Sequence, residues 1–294
     1  MDRKGESYMV EQKRRIAADG WTARESGEWA KEKLYYLNRY FDAFIQATKK
    51  SFDRRVYVDL LAGPGRCYLK DNPAEEFEGS PILALTGKAP FSSVLCVEGD
   101  ARNAEALKHR IGGCPRESTA TVLQGNANAP ETIARVREAL SGRKTLGLIF
   151  VDTLGLSDVA FRTLQEITRG RRADLIYTFH VSDVTRNIGE AQNKPEEAAR
   201  FTQAFGNSEW RAAWEAHVQG RAGTVDVADA LTAVFEQQLR KGLGYSHVES
   251  LHRLMKNSKN APLYRLILAS HDDLAPKLWQ RVAKIEFGGQ RGLF

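Results

Sequence analysis

The stretch that decides the fold is "VDLLAGPGR", residues 58–66. It ends a short, β-branched run that begins at Arg55 and is bounded by glycine, a pattern typical of a buried strand. Gly63 and Gly65 flank Pro64, and residues without a side chain let the backbone approach a ligand closely. Ligands of open α/β sheets bind beyond the carboxyl ends of the strands. The stretch therefore predicts a first strand, a binding turn and then the first helix of such a sheet.

The rest of the first 183 residues alternates between strand-like and helical segments. Further apolar strands are predicted at 92–100, 119–128, 146–155 and 173–183, and helices at 101–111, 130–140 and 158–167. An amphipathic helix is predicted at 28–49 from the spacing of its apolar residues. Near-continuous apolar strands alternating with helices indicate a parallel sheet covered on both faces. We therefore expect an α/β protein with a doubly wound, mostly parallel, Rossmann-type sheet.

The last third of the chain differs in character. Residues 191–242 contain three helical stretches, the third with Thr224 as its predicted N-cap and Gly242 or Gly244 as its stop. Two strand-like segments follow, at 245–255 and 261–271, and predict an antiparallel pair at the sheet edge. The expected organisation is an N-terminal helical extension (1–50), an α/β domain (51–190 with 243–294) and a helical insertion (191–242).

Composition limits the protein class. Hydrophobic residues make up 42% and charged residues 27% of the 294 residues, as in ordinary soluble proteins. No apolar run approaches the roughly 18 residues of a membrane span, and the first residues do not resemble a signal peptide. Cys67, Cys96 and Cys114 lack metal-binding or disulfide spacing, so we expect reduced thiols, no metal, no membrane contact and a cytoplasmic location. The net charge of +6 permits a nucleic-acid partner.

Polar residues follow each of the predicted strands. Glu98 ends the second strand, Asn126 the third, Asp152 the fourth and His180 the fifth. The carboxyl ends of parallel strands lie at one edge of a sheet, so these side chains are expected to lie close to the glycine turn. The turn lacks a full G-x-G-x-x-G fingerprint and a following Gly-Lys-Ser/Thr, which disfavours a dinucleotide site and a P-loop.

This array resembles the class I S-adenosylmethionine-dependent methyltransferases. The resemblance implies that the glycine turn holds the methionine part of the cofactor, that the acid after the second strand binds the ribose and that the third strand end meets the adenine. It also implies that the fourth strand end, Asp152, faces the methyl acceptor. The cofactor-binding residues implied in this way are Asp59, Ala62, Gly63, Gly65, Glu98, Gly99, Asn126 and Ala127.

A closer resemblance is to the three-Cys-motif partner (TcmP) proteins within that superfamily. It is carried by "DLLAGPGR" (59–66), "GSPILAL" (79–85), "LIFVDTLG" (148–155), "SDVTRN" (182–187) and the C-terminal sequence, and it runs from about residue 29 onward. The resemblance implies a methyltransferase-like fold, a winged-helix-like segment at 191–242 and a three-Cys-motif protein as a possible partner. The substrate side of the site would then include Arg66, Ser80 and Pro81.

The sequence at the fourth strand departs from the relatives. They tend to read D-P-[FY]-G, in which an aromatic ring packs on a base, whereas this chain reads D-T-L-G from Asp152 to Gly155. The missing ring favours a hydroxyl acceptor or a non-catalytic role over amino methylation of a base. His180 is a candidate general base, and Arg186 with Asn187 could contact a substrate phosphate or carboxylate.

Two functions remain open. One is a methyltransferase acting on a nucleic acid, a nucleotide or a small acceptor that a partner delivers. The other is a non-catalytic methyltransferase fold that binds nucleic acid or a protein. Lys31, Lys33 and Arg39 alternate with tyrosines in the 28–49 helix, which fits either a single-strand nucleic-acid surface or a core face with a solvated rim.

Overall fold

The computed structural model describes residues 14–220, 226–250, 254–256, 259–285 and 287. Strands and helices alternate along most of this length. In chain order they are β1 (Arg14–Ile16), β2 (Thr22–Ser26), α1 (Glu28–Thr48), β3 (Arg54–Asp59), β4 (Arg66–Leu69), β5 (Glu76–Glu78), α2 (Ser80–Thr86), β6 (Ser93–Glu98), α3 (Ala101–Gly112), β7 (Ala120–Gln124), α4 (Pro130–Ala139), β8 (Thr145–Val151), α5 (Phe161–Thr168), β9 (Ala173–Phe179), α6 (Val181–Asn187), α7 (Pro195–Phe205), α8 (Glu209–Val218), α9 (Val227–Leu243), β10 (His247–Ser250), β11 (Met255–Lys256), β12 (Pro262–Ser270) and α10 (Leu274–Ala283).

The main sheet has the strand order β10-β12-β9-β8-β3-β6-β7, and β11 pairs with β12 outside this path. The five strands from β9 to β7 are parallel. β12 is antiparallel to both β9 and β10, so the expected antiparallel pair forms and extends the main sheet. The direction of the strand order reverses between β3 and β8, where open α/β sheets bind their ligands.

Apolar residues cover both faces of the sheet, as the continuous hydrophobic strands predict. Successive residues of a strand point to opposite faces, so Val56 and Val58 belong to one core and Tyr57 to the other. One core is completed by α4 to α9 and the other by α1, α2, α3 and α10. The prediction of a doubly wound, mostly parallel α/β sheet is confirmed.

A second, smaller sheet was not predicted from the sequence. Its strand order is β1-β2-β4-β5, and β2 runs parallel to β4. The expectation that the glycine turn leads directly into a helix is therefore wrong, because the chain first passes through β4 and β5. The β1–β2 hairpin is fixed by Arg110, which donates to both Asp19 carboxylate oxygens and to the carbonyl oxygens of Thr22 and Pro64.

The helical segment after residue 190 packs on the main sheet. The Phe235 ring of α9 lies 4.7 Å from the ring of Tyr177 and 5.0 Å from that of Phe179, both in β9. The domain boundary expected at residue 242 thus crosses a shared hydrophobic core. The N-cap of α9 is Asp226, whose carboxylate accepts from the Ala228 N–H, and not Thr224, which lies outside the described residues. α9 ends before Gly244, as expected.

The described helices include none that is long and apolar enough to span a bilayer.

Candidate active site

The glycine turn between β3 and β4 has the backbone that its sequence predicts. Gly63 and Gly65 have φ angles of +65° and +80°, which side chains disfavour. A Cβ on Gly65 would lie 2.8 Å from Leu107 Cδ1 and 3.3 Å from Ile82 Cγ1, so any side chain there would force these neighbours to shift. A Cβ on Gly63 would lie 3.8 Å from an Arg24 guanidinium nitrogen. Among the described residues, Leu107 and Ile82 therefore lie against Gly65, and Arg24 lies against Gly63.

The "GSP" segment packs directly against this turn. The Gly79 N–H donates to the Gly65 carbonyl oxygen over 2.9 Å. The Ser80 hydroxyl donates to Asp59 Oδ2 over 2.6 Å, and the Tyr57 hydroxyl donates to the same oxygen. Pro81 lies in the first turn of α2 and is buried. The two motifs therefore form one structural unit, which explains why they occur together.

Asp59, the last residue of β3, supports the glycine turn through hydrogen bonds. Its carboxyl group is fully buried, and the Leu61 N–H donates to its second oxygen. Burial raises the pKa of Asp59 to about 6, although the Ser80 and Tyr57 hydroxyls favour the ionised form. Ala62, next to the turn, is buried as well. The glycine turn is thus supported by a carboxyl group that loses its negative charge when the pH falls below about 6.

Glu98 connects the end of β6 to the glycine turn. Its Oε2 accepts from the Gly63 N–H over 2.7 Å, and its Oε1 accepts from the Asp100 N–H over 2.8 Å. The side chain is only 8% exposed, whereas Gly99 is exposed at the strand end. Oε1 also accepts from the Asn103 side-chain amide over 3.4 Å. The second lone pair of Oε2 is therefore the one with which Glu98 can still accept a bond from a ligand hydroxyl.

The loop after β7 is held by internal hydrogen bonds. Asn126 is exposed, and its Oδ1 accepts from the Asn128 N–H over 2.8 Å. Ala127 is buried. Asn128 in turn accepts from the Ala160 N–H and the Thr163 hydroxyl. The loop therefore presents the Asn126 side chain at the surface of the sheet edge.

Asp152 lies at the end of β8 in a buried ion cluster. Lys33 Nζ is 2.5 Å from Asp152 Oδ1 and 2.6 Å from Oδ2, and Arg24 Nη2 is 3.6 Å from Oδ2. Burial alone would raise the pKa of Asp152, but the charges of Lys33 and Arg24 hold it below its usual value. Asp152 is thus an ionised group that orients cations and does not accept protons near neutral pH.

Lys33 was not singled out as a site residue from the sequence. Its side chain is 3% exposed, and its Nζ lies 5.4 Å and 5.3 Å from the ring centroids of Trp29 and Tyr264. Burial lowers the pKa of Lys33, and Asp152 opposes this shift. The signal was present, because Lys33 falls on the buried stripe of α1 between Ala30 and Leu34. The helix thus carries a core face, but with a buried lysine in it.

His180 follows β9 on the same edge of the sheet. Its Nε2 is buried and has no hydrogen-bond partner among the described residues. Burial lowers the pKa of His180. The negative charge of Asp152 raises this pKa, and the positive charge of Lys33 lowers it further. The ring is therefore neutral at physiological pH and has a free nitrogen.

The remaining substrate candidates lie in different places. Arg66 lines the cavity described below and also pairs with Asp19 and Glu78. Arg186 is exposed and Asn187 donates to Asp183, and both lie in the short helix α6, not in a loop. Neither of these last two residues lines the cavity.

A small cavity joins the glycine turn to the buried ion cluster. It lies beyond the carboxyl ends of β3 and β8, and its volume is about 10 Å³, which corresponds to the space of one water molecule. Its lining residues include Arg24, Lys33, Gly63, Ser80 and Asp152. Glu98, Gly99 and Asn126 lie outside this lining.

The sequence resemblance implies that this site holds S-adenosylmethionine. The positive-φ glycine turn and the acid at the end of β6 provide the bare backbone and acceptors that such a molecule needs. The cavity is too small for its methionine end while the Arg24 guanidinium lies over Gly63. The residues therefore fit the group chemically, whereas the space beside Gly63 is taken up by the Arg24 guanidinium.

Comparisons with known proteins do not assign the chain to a family. No protein-family model matches it, and no curated protein matches it. Similar solved structures include the O-methyltransferase from Bacillus cereus in complex with SAH, at 10% identity over 79% of this chain and 80% of that one, with a TM-score of 0.43. Protein LPL1258 from Legionella pneumophila is 11% identical over 85% and 90%, with a TM-score of 0.46. TYW2 from M. jannaschii, in complex with AdoMet, is 10% identical over 90% and 88%, with a TM-score of 0.36.

Proposed function

We propose that this protein is a class I S-adenosylmethionine-dependent methyltransferase. The strand order supports this, because the five parallel strands follow the doubly wound order, which reverses direction beside the glycine turn, where such sheets bind their ligands. The glycine turn would receive the methionine end of the cofactor, Glu98 and Gly99 the ribose, and Asn126 with Ala127 the adenine.

The observation that carries the proposal is the buried cluster of Lys33, Asp152 and Arg24 beside the glycine turn. A buried charge is costly unless it is paired and hydrogen-bonded. This cluster lies where the strand order reverses, next to the bare backbone of Gly63. An ion pair that only stabilises the fold could lie anywhere in the core. A site for the methyl acceptor has to lie beside the glycine turn, as this cluster does.

The residues of this chain would orient the acceptor and take its proton. The cofactor supplies an activated methyl group, so the protein has mainly to align the acceptor. His180 is the group that can take the proton, because its ring is neutral and its Nε2 lacks a partner among the described residues. Lys33, fixed by Asp152, would donate to the acceptor oxygen. Thr153 and Leu154 provide no stacking ring, which favours a hydroxyl acceptor.

The test begins with binding of S-adenosylhomocysteine to the intact protein by calorimetry. We expect binding to wild type, weaker binding to Asn126→Ala, and no change for Asn72→Ala, another exposed asparagine. Arg24→Ala is expected to speed association in stopped-flow measurements, because it removes the side chain that covers Gly63. Absence of binding to wild type would contradict the proposal and favour a non-catalytic fold that binds nucleic acid or a protein partner.

The second part measures transfer of a tritiated methyl group to DNA, RNA, nucleotides and small hydroxyl compounds, with and without cell extract as a source of a partner. His180→Gln should bind S-adenosylhomocysteine normally and lose transfer. If an acceptor is found and His180→Gln transfers at the wild-type rate, the role of His180 is wrong. Binding without transfer to any acceptor would favour the non-catalytic alternative.

A further inference from the structure

A second, much larger cavity lies at the opposite edge of the main sheet. Its volume is about 480 Å³, within the range of small-molecule sites in proteins. It is enclosed by the last turns of α1, the loop that follows, the first residues of β8 and β9, and the start of α10. It shares no lining residue with the cavity at the glycine turn.

The walls of this second cavity are mainly apolar. Phe44, Phe52, Leu146, Leu274 and Leu278 line it. Phe44 is buried, whereas Leu274 is 42% exposed at the rim. Such walls are suited to the hydrocarbon or aromatic part of a ligand.

Two of the residues that line this cavity, Asp174 and Tyr40, carry buried polar groups with few partners. Asp174 lines it and is only 7% exposed, and no described cation forms an ion pair with it. Its side-chain hydrogen-bond partner in the described part of the chain is Ser270, and Asp272 lies close enough to raise its pKa further. The Tyr40 hydroxyl is buried without a hydrogen-bond partner among the described residues, and the charges of Asp174 and Asp272 reach it.

Such an arrangement is unfavourable in an empty cavity. A buried carboxylate without a cation, and a buried hydroxyl without a partner, each cost free energy. An ammonium group would pair with Asp174 and donate to the Tyr40 oxygen. Arg172 also lines the cavity and is positively charged. It is exposed, however, and is not among the groups that shift the pKa of Asp174.

We propose that this second cavity binds a small organic cation, namely a primary amine with an apolar body, whose ammonium group pairs with Asp174. The apolar body lies against Phe44 and the leucines, and Asp272 adds negative charge at the exposed mouth. The site is independent of the methyltransferase proposal.

Binding of the amine should depend on pH. Burial raises the pKa of Asp174 to about 7, and an ammonium group binds the ionised carboxylate. Affinity should therefore rise about tenfold between pH 6 and pH 8, with a plateau above. The other titratable groups that face Asp174 are Asp272, Tyr40 and Tyr245, and His271 lines the same cavity.

The experiment uses the intact protein and pairs of probes that differ in charge. 2-Phenylethylamine, hexylamine and tryptamine are compared with the matching alcohols by ligand-observed NMR titration and thermal shift at pH 6 and pH 8. At least one amine should bind, more tightly at pH 8, and its alcohol should bind at least tenfold more weakly. Asp174→Asn should remove both the preference and the pH dependence, whereas Asp273→Asn, an exposed acid outside the lining, should keep both.

Several outcomes would overturn the proposal. The first is that no amine binds at pH 8 at concentrations up to about 10 mM, which is the range of weak ligands. The second is that an alcohol binds as tightly as its matching amine. The third is that Asp174→Asn binds the amine as tightly as wild type does. His271→Gln separates the remaining case. If it abolishes the pH dependence while Asp174→Asn does not, the titrating group is His271 and the assignment to Asp174 is wrong.

Discussion

Lys33 Nζ lies 2.5 Å from Asp152 Oδ1, although 119 positions separate the two residues in the chain. The contact joins α1, before the first strand of the main sheet, to the end of β8. It places a positive charge beside the glycine turn, in a part of the protein where the surrounding side chains are aromatic.

Removing one partner of this pair should destabilise the protein strongly. Lys33→Met leaves Asp152 buried with only Arg24 nearby, at 3.6 Å, and should lower the free energy of unfolding by about 3–5 kcal/mol. The double variant Lys33→Met with Asp152→Asn should recover at least half of that loss. Urea denaturation measures all three proteins. Lys31→Met, which removes a more exposed ion pair on the same helix, is the control and should cost at most about 1 kcal/mol.

The stability of the glycine turn should decrease as the pH rises. The folded-state pKa of Asp59 is about 6 because the group is buried, above the roughly 3.9 of an unfolded chain. The folded protein therefore binds this proton more tightly, so its stability is greatest below about pH 4 and falls as the pH passes 6. Between pH 4 and pH 8, Asp59→Asn should gain about 2 kcal/mol relative to wild type. Urea denaturation of both proteins at the two pH values measures this, and a constant difference would contradict it.

The two glycines of the turn should differ in their sensitivity to substitution. Gly63→Ala adds only the strain of a positive φ, about 1 kcal/mol, because its Cβ has 3.8 Å to the nearest atom. Gly65→Ala adds a clash with Leu107 at 2.8 Å and should cost about 2–4 kcal/mol. Thermal unfolding of both variants ranks them. Equal costs would mean that Leu107 moves aside freely.

The helical segment should unfold together with the sheet. Phe235 of α9 is fully buried against Tyr177 and Phe179, so Phe235→Ala should cost about 3–5 kcal/mol. Val218, which is 63% exposed, gives the control Val218→Ala with little effect. Circular dichroism and tryptophan fluorescence should report a single, coincident transition in both variants. Separate transitions would instead support an independent domain at 191–242.

The central strands of the main sheet could be predicted from the sequence because they are continuous apolar runs. β8 reads "TLGLIFV" and β9 reads "ADLIYTF", and both are almost wholly buried. The strand-end residues Glu98 and Asp152 could be found for the same reason, since a polar residue after such a run marks the sheet edge. Their hydrogen-bond partners could not, because those partners come from distant parts of the chain.

The small sheet escaped prediction for a physical reason. β1 reads "RRI", β2 "TARES" and β5 "EFE". These strands are three to five residues long and rich in charge, so they lack the alternation that identifies a strand. They are held by ion pairs between side chains, such as Arg15 with Glu76 and Arg66 with Glu78. Arg24, which reaches Asp152 from β2, therefore could not be placed from the sequence.

The bonds of Arg110 determine how the site can open. One guanidinium holds the Asp19 end of the β1–β2 hairpin and the Pro64 carbonyl of the glycine turn at the same time. Arg24 lies farther along the hairpin, in β2. The hairpin is therefore anchored to the turn both through Arg110 and through the pairing of β2 with β4. The backbone that carries Arg24 is thus held on two sides, which leaves the Arg24 side chain as the part nearest to Gly63 that can change its conformation.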